Sequence, residues 1–153
     1  MSLMSLQGVF SNTILIAGVA AWVIAQTIKV PVDYLRHQRW NWAILLSPGG
    51  MPSSHAALVT ATAHSIGLFV GFDTPLFALA MVVAIVVIYD ATGVRRQAGL
   101  QAALINAMIR DLASGHPLKS EKLREVLGHT PLEALGGVLL GLATAQVAWL
   151  LVN

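Results

Sequence analysis

Cysteine is missing from the chain's 153 residues. That excludes disulfides, thiolate nucleophiles and cysteine-ligated metals together, and leaves the redox compartment undetermined. Charge is the next scarcity. Asp, Glu, Lys and Arg make up 10% of the sequence, against about 25% in an ordinary soluble domain. Nine Lys and Arg stand against seven Asp and Glu, for a formal net charge of +2. Nine cations dispersed through so much apolar sequence make a poor footprint for nucleic acid, and no nucleic-acid partner is expected. Residues 1–12 contain neither Lys nor Arg. A cleavable signal peptide begins with positive charge, so the first apolar run is expected to stay as a helix.

Apolar residues fill the space that charge leaves. They make up 56% of the chain, and the mean hydropathy is +0.73. Four runs are candidates for hydrocarbon: Thr13 to Val30, Ala56 to Val70, Leu76 to Tyr89 and Leu135 to Val152. A helical span takes roughly 20 residues at 1.5 Å each. The second and third runs reach it only if their polar shoulders, around Ser53 and Asp90, are helical too. A soluble bundle of four such helices would lack the polar side chains to cover its exterior. The expected fold is therefore all-α: one membrane-embedded domain over residues 1–153, a polytopic bundle of about four transmembrane helices. Two further segments fit interfacial or re-entrant helices. Trp40 to Leu46 carries tryptophans suited to the headgroup belt. Leu100 to Leu112 has apolar residues at helical spacing and a polar face with Gln101, Asn106 and Asp111, suited to lying along the interface.

If all four runs cross, both termini and the Gly71 to Pro75 link share one side. All nine Lys and Arg fall on the other, from Lys29 at the boundary to Arg124. The positive-inside rule then puts the basic side in the cytoplasm and the termini outside. A multi-pass protein of the cell inner membrane is the expected setting. An anion site on that side would demand the same basic residues.

Those crossings bring a set of polar residues to one membrane face: Lys29, Arg36, Ser53, Ser54, His55, Asp90, Arg95, Arg96, Arg124, His129 and Glu133. In "GGMPSSHAA" Ser53 or Ser54 can cap the following helix, whose N–H groups and dipole attract a phosphoryl oxygen. His55 in the first turn is placed to give a proton there. In "LGHTPLEALGG" the i,i+4 spacing puts His129 and Glu133 on one face if both are helical. A carboxylate on one ring nitrogen would leave the other to attack. The competing reading has Thr130 capping the helix with Glu133 in its first turn; one carboxylate has limited reach for both tasks. In "YDATGVRRQAG" Arg95 and Arg96 offer two guanidinium forks to a phosphate, but only on irregular backbone, since adjacent helical side chains diverge by about 100°. Pairing with Asp90 or with lipid headgroups is the alternative. "KVPVDYLR" supplies Lys29 and Arg36, with Asp33 placed to hold one of them and Pro31 restricting an unbroken helix. His64 lies nine residues beyond His55, on the opposite helical face. A metal reading would borrow His55, His129 and Glu133, whose spacing matches no compact metal motif. No metal or other cofactor is expected.

As an ordered set, "KVPVDYLR", "GGMPSSHAA", "YDATGVRRQAG" and "LGHTPLEALGGVLLG" resemble the divergent branch of the type 2 phosphatidic acid phosphatase (PAP2) superfamily, which is related to acid phosphatases and vanadium haloperoxidases. The superfamily's Lys, six residues, Arg-Pro appears with His37 in place of the proline. Its Pro-Ser-Gly-His appears as Pro52-Ser53-Ser54-His55. Its Ser-Arg, five residues, His, three residues, Asp appears with His129 and Glu133, but with Lys122 and Leu123 where Ser-Arg would stand and Arg124 one step out of register. The resemblance implies that Ser53 and nearby amides hold phosphate, His55 protonates the leaving oxygen, His129 is the nucleophile and Glu133 orients it. Arg95 or Arg96 would replace the missing cation. A lipid-phosphate phosphomonoesterase with a phosphohistidine intermediate is the expected function, with lipid-linked phosphates and membrane lipids as partners. A non-enzymatic lipid-phosphate binder or translocator is the alternative.

Overall fold

The computed structural model describes residues 8–47, 49–113 and 129–153, without the side chains of 94–96, 107 and 110–113. Five α-helices make up nearly all of it: α1 (Thr13–His37), α2 (Ser54–Phe69), α3 (Pro75–Thr92), α4 (Val94–Ala113) and α5 (Pro131–Val152). A 3-10 helix, Trp42–Leu46, lies between α1 and α2. Four of these starts have a local cause. Asn12, Ser53, Thr74 and Thr130 are N-caps whose side chains accept from backbone N–H groups, and Pro75 and Pro131 occupy first helical positions, where no N–H is needed. α1 ends as Gln38 takes a left-handed conformation, φ 56°, and returns its N–H to Tyr34 O. Between α2 and α3, Gly71 at φ +127° makes the turn that any side chain would strain.

Among the described residues three stretches are long and apolar enough to cross a membrane: Thr13–His37, Pro75–Asn106 and Pro131–Val152. The fourth expected crossing, α2, has 16 residues, roughly 24 Å of helix. It is the central helix, packing on α1, α3 and α5, so its run of small apolar residues meets neighbouring helices. The expected division of residues is inverted relative to a soluble core. Ala21, Ala25, Ala57, Ala61 and Ala145 form the buried cluster, while Leu79, Val82, Leu139 and Leu150 point outward at about 60% exposure. In a bilayer large side chains gain nothing by leaving lipid, so helices associate where small residues let backbones approach. Gly141 shows how close they come. A Cβ there would stand 2.6 Å from Ala57 O and 3.0 Å from Ala61 N, and one at Gly137 would overlap Ser53 O. Gly18 plays the same part on α1, facing Leu58 and Thr62. These contacts fix direction: α5 runs parallel to α2, and α1 antiparallel to it.

Several details depart from the sequence reading. α1 continues through Pro31 to His37. Pro31 is exposed on its outer face and removes only the bond to Thr27 O, a loss that transmembrane helices tolerate. α4 begins directly after Gly93 and is regular through positions 95 and 96, so the irregular backbone needed to aim both arginines at one anion is absent there. Asn106, expected on an exposed polar face, is 2% exposed, whereas Leu100, Leu104 and Met108 are outward. Expectations resting on Lys119, Lys122 and Arg124 lie outside the described residues.

Gly141→Leu is expected to cost roughly 1–3 kcal/mol by overpacking and to lower the unfolding midpoint in detergent. Leu139→Ala, on the outward face, should stay within about 0.5 kcal/mol. Equal effects in the two variants would contradict the small-residue packing.

Candidate functional site

The parallel run of α2 and α5 sets two helix N-termini side by side. Their register is fixed by a backbone bond, Ser53 N–H to Glu133 O at 2.9 Å. Ser53 is fully buried and caps α2, its Oγ accepting from Ala56 N at 3.3 Å. Ser54 occupies the first helical position. The two hydroxyls thus divide the work that the sequence left shared: one caps, and the other faces α1.

What Ser54 meets is Lys29. The sequence reads this lysine as a boundary charge, but its side chain is entirely buried. Nζ donates to Ser47 O at 3.2 Å and lies 3.5 Å from Ser54 Oγ. Residues 49–53 close over its stem, with Gly50 at φ +91° so near that a Cβ would stand 3.6 Å from Lys29 Cδ. An ammonium carried to such a place is costly unless every donor is used, and intramembrane cations of this kind mark functional sites. Ser47 has no motif of its own in the sequence; the Ser-Pro-Gly-Gly turn after the tryptophans is the only signal that its carbonyl points inward.

His129 precedes α5, 4% exposed. Its backbone N–H donates to Ala91 O at 3.0 Å, which ties the start of α5 to the end of α3. Its Nδ1 lies 3.3 Å from Glu133 Oε2. The same Oε2 accepts the Thr130 N–H at 3.0 Å, and Thr130 Oγ1 accepts the Glu133 N–H at 3.3 Å. Cap and histidine support, weighed as competitors in the sequence, coexist because one carboxylate oxygen has lone pairs for both donors. With a carboxylate opposite Nδ1, the neutral ring is favoured with its proton on Nδ1, which leaves the lone pair on Nε2.

The remaining expected residues divide. His55 is half-buried in the first turn of α2, two residues past the Ser53 bond to α5. Arg36 is exposed, its Nη2 3.5 Å from Met51 Sδ beside Pro52. Asp33, expected to hold a cation of its own segment, instead pairs with His37 Nδ1 at 2.9 Å. The backbones of Arg95 and Arg96 lie in the first turn of α4, beside the α3 end that bonds His129; their side chains lie outside the described set. Tyr34, Trp40 and Trp42 stack in series at 4.5 and 5.8 Å between ring centroids and mark the interfacial level at this end. His64, as the helical spacing predicts, is elsewhere, against Phe72 at the far end of α2. Among the described residues no three His, Asp or Glu side chains gather as a metal site needs.

One end of the bundle therefore combines two helix N-termini, a buried ammonium and an imidazole whose tautomer is set. Helix N-termini attract anions through their unpaired N–H groups and dipoles, and the lysine adds a full charge. The sequence model of the divergent PAP2 family matches residues 10–144. An uncharacterized membrane protein, YuiD of Bacillus subtilis (strain 168), is 40% identical over 148 residues, covering 90% of this chain and 94% of that one. No solved structure matches the chain.

The shared carboxylate can be dissected. Thr130→Ala should cost about 1 kcal/mol of stability as a lost cap, leaving the Nδ1–H form of His129 dominant by nitrogen NMR. Glu133→Ala should remove that tautomer preference as well. Unchanged tautomer in Glu133→Ala would show that the carboxylate does not set it.

Proposed function

This chain belongs to the divergent PAP2 family of membrane proteins, and we propose that it is a metal-independent lipid-phosphate phosphomonoesterase. The observation that carries the proposal is the His129–Glu133 pair held at the mouth of two parallel helices. His129 Nε2 attacks phosphorus in line as the bond to the lipid oxygen breaks, giving a phosphohistidine. The electron pair of the broken bond passes to that oxygen, which takes a proton from His55. His55, now neutral, removes a proton from water as the water oxygen attacks phosphorus and the P–N electron pair returns to His129 Nε2, releasing phosphate and restoring both side chains. Glu133 orients His129 and stabilises its positive form during transfer. Lys29, Arg36 and one of Arg95 and Arg96 balance charge spreading over the phosphoryl oxygens, with Ser53, Ser54 and the adjacent amides cradling them. The concentration of all nine Lys and Arg at this end of the sequence topology supports a cytoplasmic site, termini outside, in the cell inner membrane.

The absence of Ser-Arg before His129, with Lys122 and Leu123 in its place, favours a second reading: a lipid-phosphate binder or translocator using the same cations without the attack. Purified protein assayed on several lipid phosphates with a chelator present separates the two. Phosphate release is expected, abolished in His129→Ala and reduced about 10²–10⁴-fold in His55→Ala, as for loss of a general acid. Intact activity in His129→Ala would remove the nucleophile; lipid-phosphate binding without any turnover would favour the binder. Lys29→Met should weaken vanadate binding about tenfold to a hundredfold, the range for a lost charge-assisted hydrogen bond.

A further inference from the structure

In-line displacement puts the nucleophile and the leaving oxygen at opposite apices of the phosphorus. With His129 approaching from the α5 side, the leaving oxygen, and the hydrocarbon it carries, departs on the side of His55. Resting on the phosphatase reading for this one direction, we infer that the lipid tail lies in the groove between α1, α2 and α3. That groove, about 420 Å³, is lined by Leu15 of α1, Leu58, Val59 and Thr62 of α2, and Leu79 and Val83 of α3. Val59 and Thr62 follow His55 by four and seven residues, within about 40° of it around a 3.6-residue helix. The groove therefore starts one turn beneath the proton donor and continues along its face, away from the phosphate end.

Its walls suit a chain arriving from the bilayer. Leu15, Leu79 and Val83 are 45%, 61% and 47% exposed, so the groove opens sideways between α1 and α3, and a lipid enters without leaving the hydrocarbon layer. The other cavity against α2, about 210 Å³, includes His64, Met81 and Leu142. It occupies the face of α2 opposite His55, turned away from the departing oxygen. The groove under His55 is thus the tail site, and the ligand class is a phosphate monoester whose ester oxygen is joined directly to a long hydrocarbon chain or to a short headgroup bearing one.

A long-chain alkylphosphonate with a mid-chain diazirine tests this, since it carries the anion but no ester bond to cleave. In phosphatidylcholine nanodiscs, photolabel is expected on Val59, Thr62, Leu79 and Val83, suppressed by excess unlabelled phosphonate and not by the corresponding alcohol. Ala80→Leu and Val59→Trp, which fill the groove, should each lower that labelling about tenfold, while Leu139→Trp on the outward face of α5 leaves it unchanged. Label spread equally over Val82 and Leu139, or concentrated around Met81 and Leu142, would overturn the assignment. Groove labelling with no hydrolysis of lipid phosphates would remove the phosphatase reading and keep the tail site; hydrolysis with labelling elsewhere would remove the tail site alone.

Discussion

The close approach of α2 and α5 governs everything at the polar end. Gly137 and Gly141 let the α5 backbone settle against Ser53, Ala57 and Ala61, and this contact decides where the two helices begin relative to each other. Because they run parallel in register, their N-termini open side by side, and the residues just before and after each start share one small volume. In lipid, where no water-driven collapse pulls helices together, backbone proximity through small residues is what can set such a register. The Ser53–Glu133 backbone bond then holds it in place.

Much of this was legible from residue order. The Ser-Ser-His and His-Thr-Pro-x-Glu starts read directly as helix mouths, because capping chemistry and proline at a first position are local signals. The four apolar runs, their shared polar end and the opposite placement of His64 followed from periodicity. The interior was less legible. A run of alanines and glycines has the same hydropathy whether lipid or another helix covers it, so the sequence does not reveal that α2 is the crossing the others enclose. Lys29 misled for a related reason: a lysine at the end of an apolar run ordinarily reaches water, whereas residues 49–53 fold back over α1 and cover it. Asn106 was decided by burial that the local pattern does not contain, and Pro31 by the single lost bond that a transmembrane helix tolerates.

The polar end also shows how few groups serve several needs. Glu133 Oε2 accepts from both the Thr130 N–H and His129 Nδ1, so the atom that completes a helix start also sets an imidazole. Lys29 stitches α1 to the loop carbonyl of Ser47 and to Ser54. These are structural bonds, sufficient to explain why the groups are held; an anion arriving at the mouth would find them already oriented. Preorganisation of this sort is where electrostatic catalysis gains most, since the protein need not reorganise as charge develops. The wider PAP2 superfamily's Ser-Arg has no counterpart at its expected position, and in the proposed mechanism the arginines opening α4, next to the α3 end that bonds His129, take its place.

Rapid acid-free quenching with a lipid phosphate labelled in its phosphoryl group tests the central claim most directly. The account predicts a transient, base-stable and acid-labile label on the peptide containing His129, rising before phosphate appears in solution. Sustained turnover with no label at position 129 would contradict it.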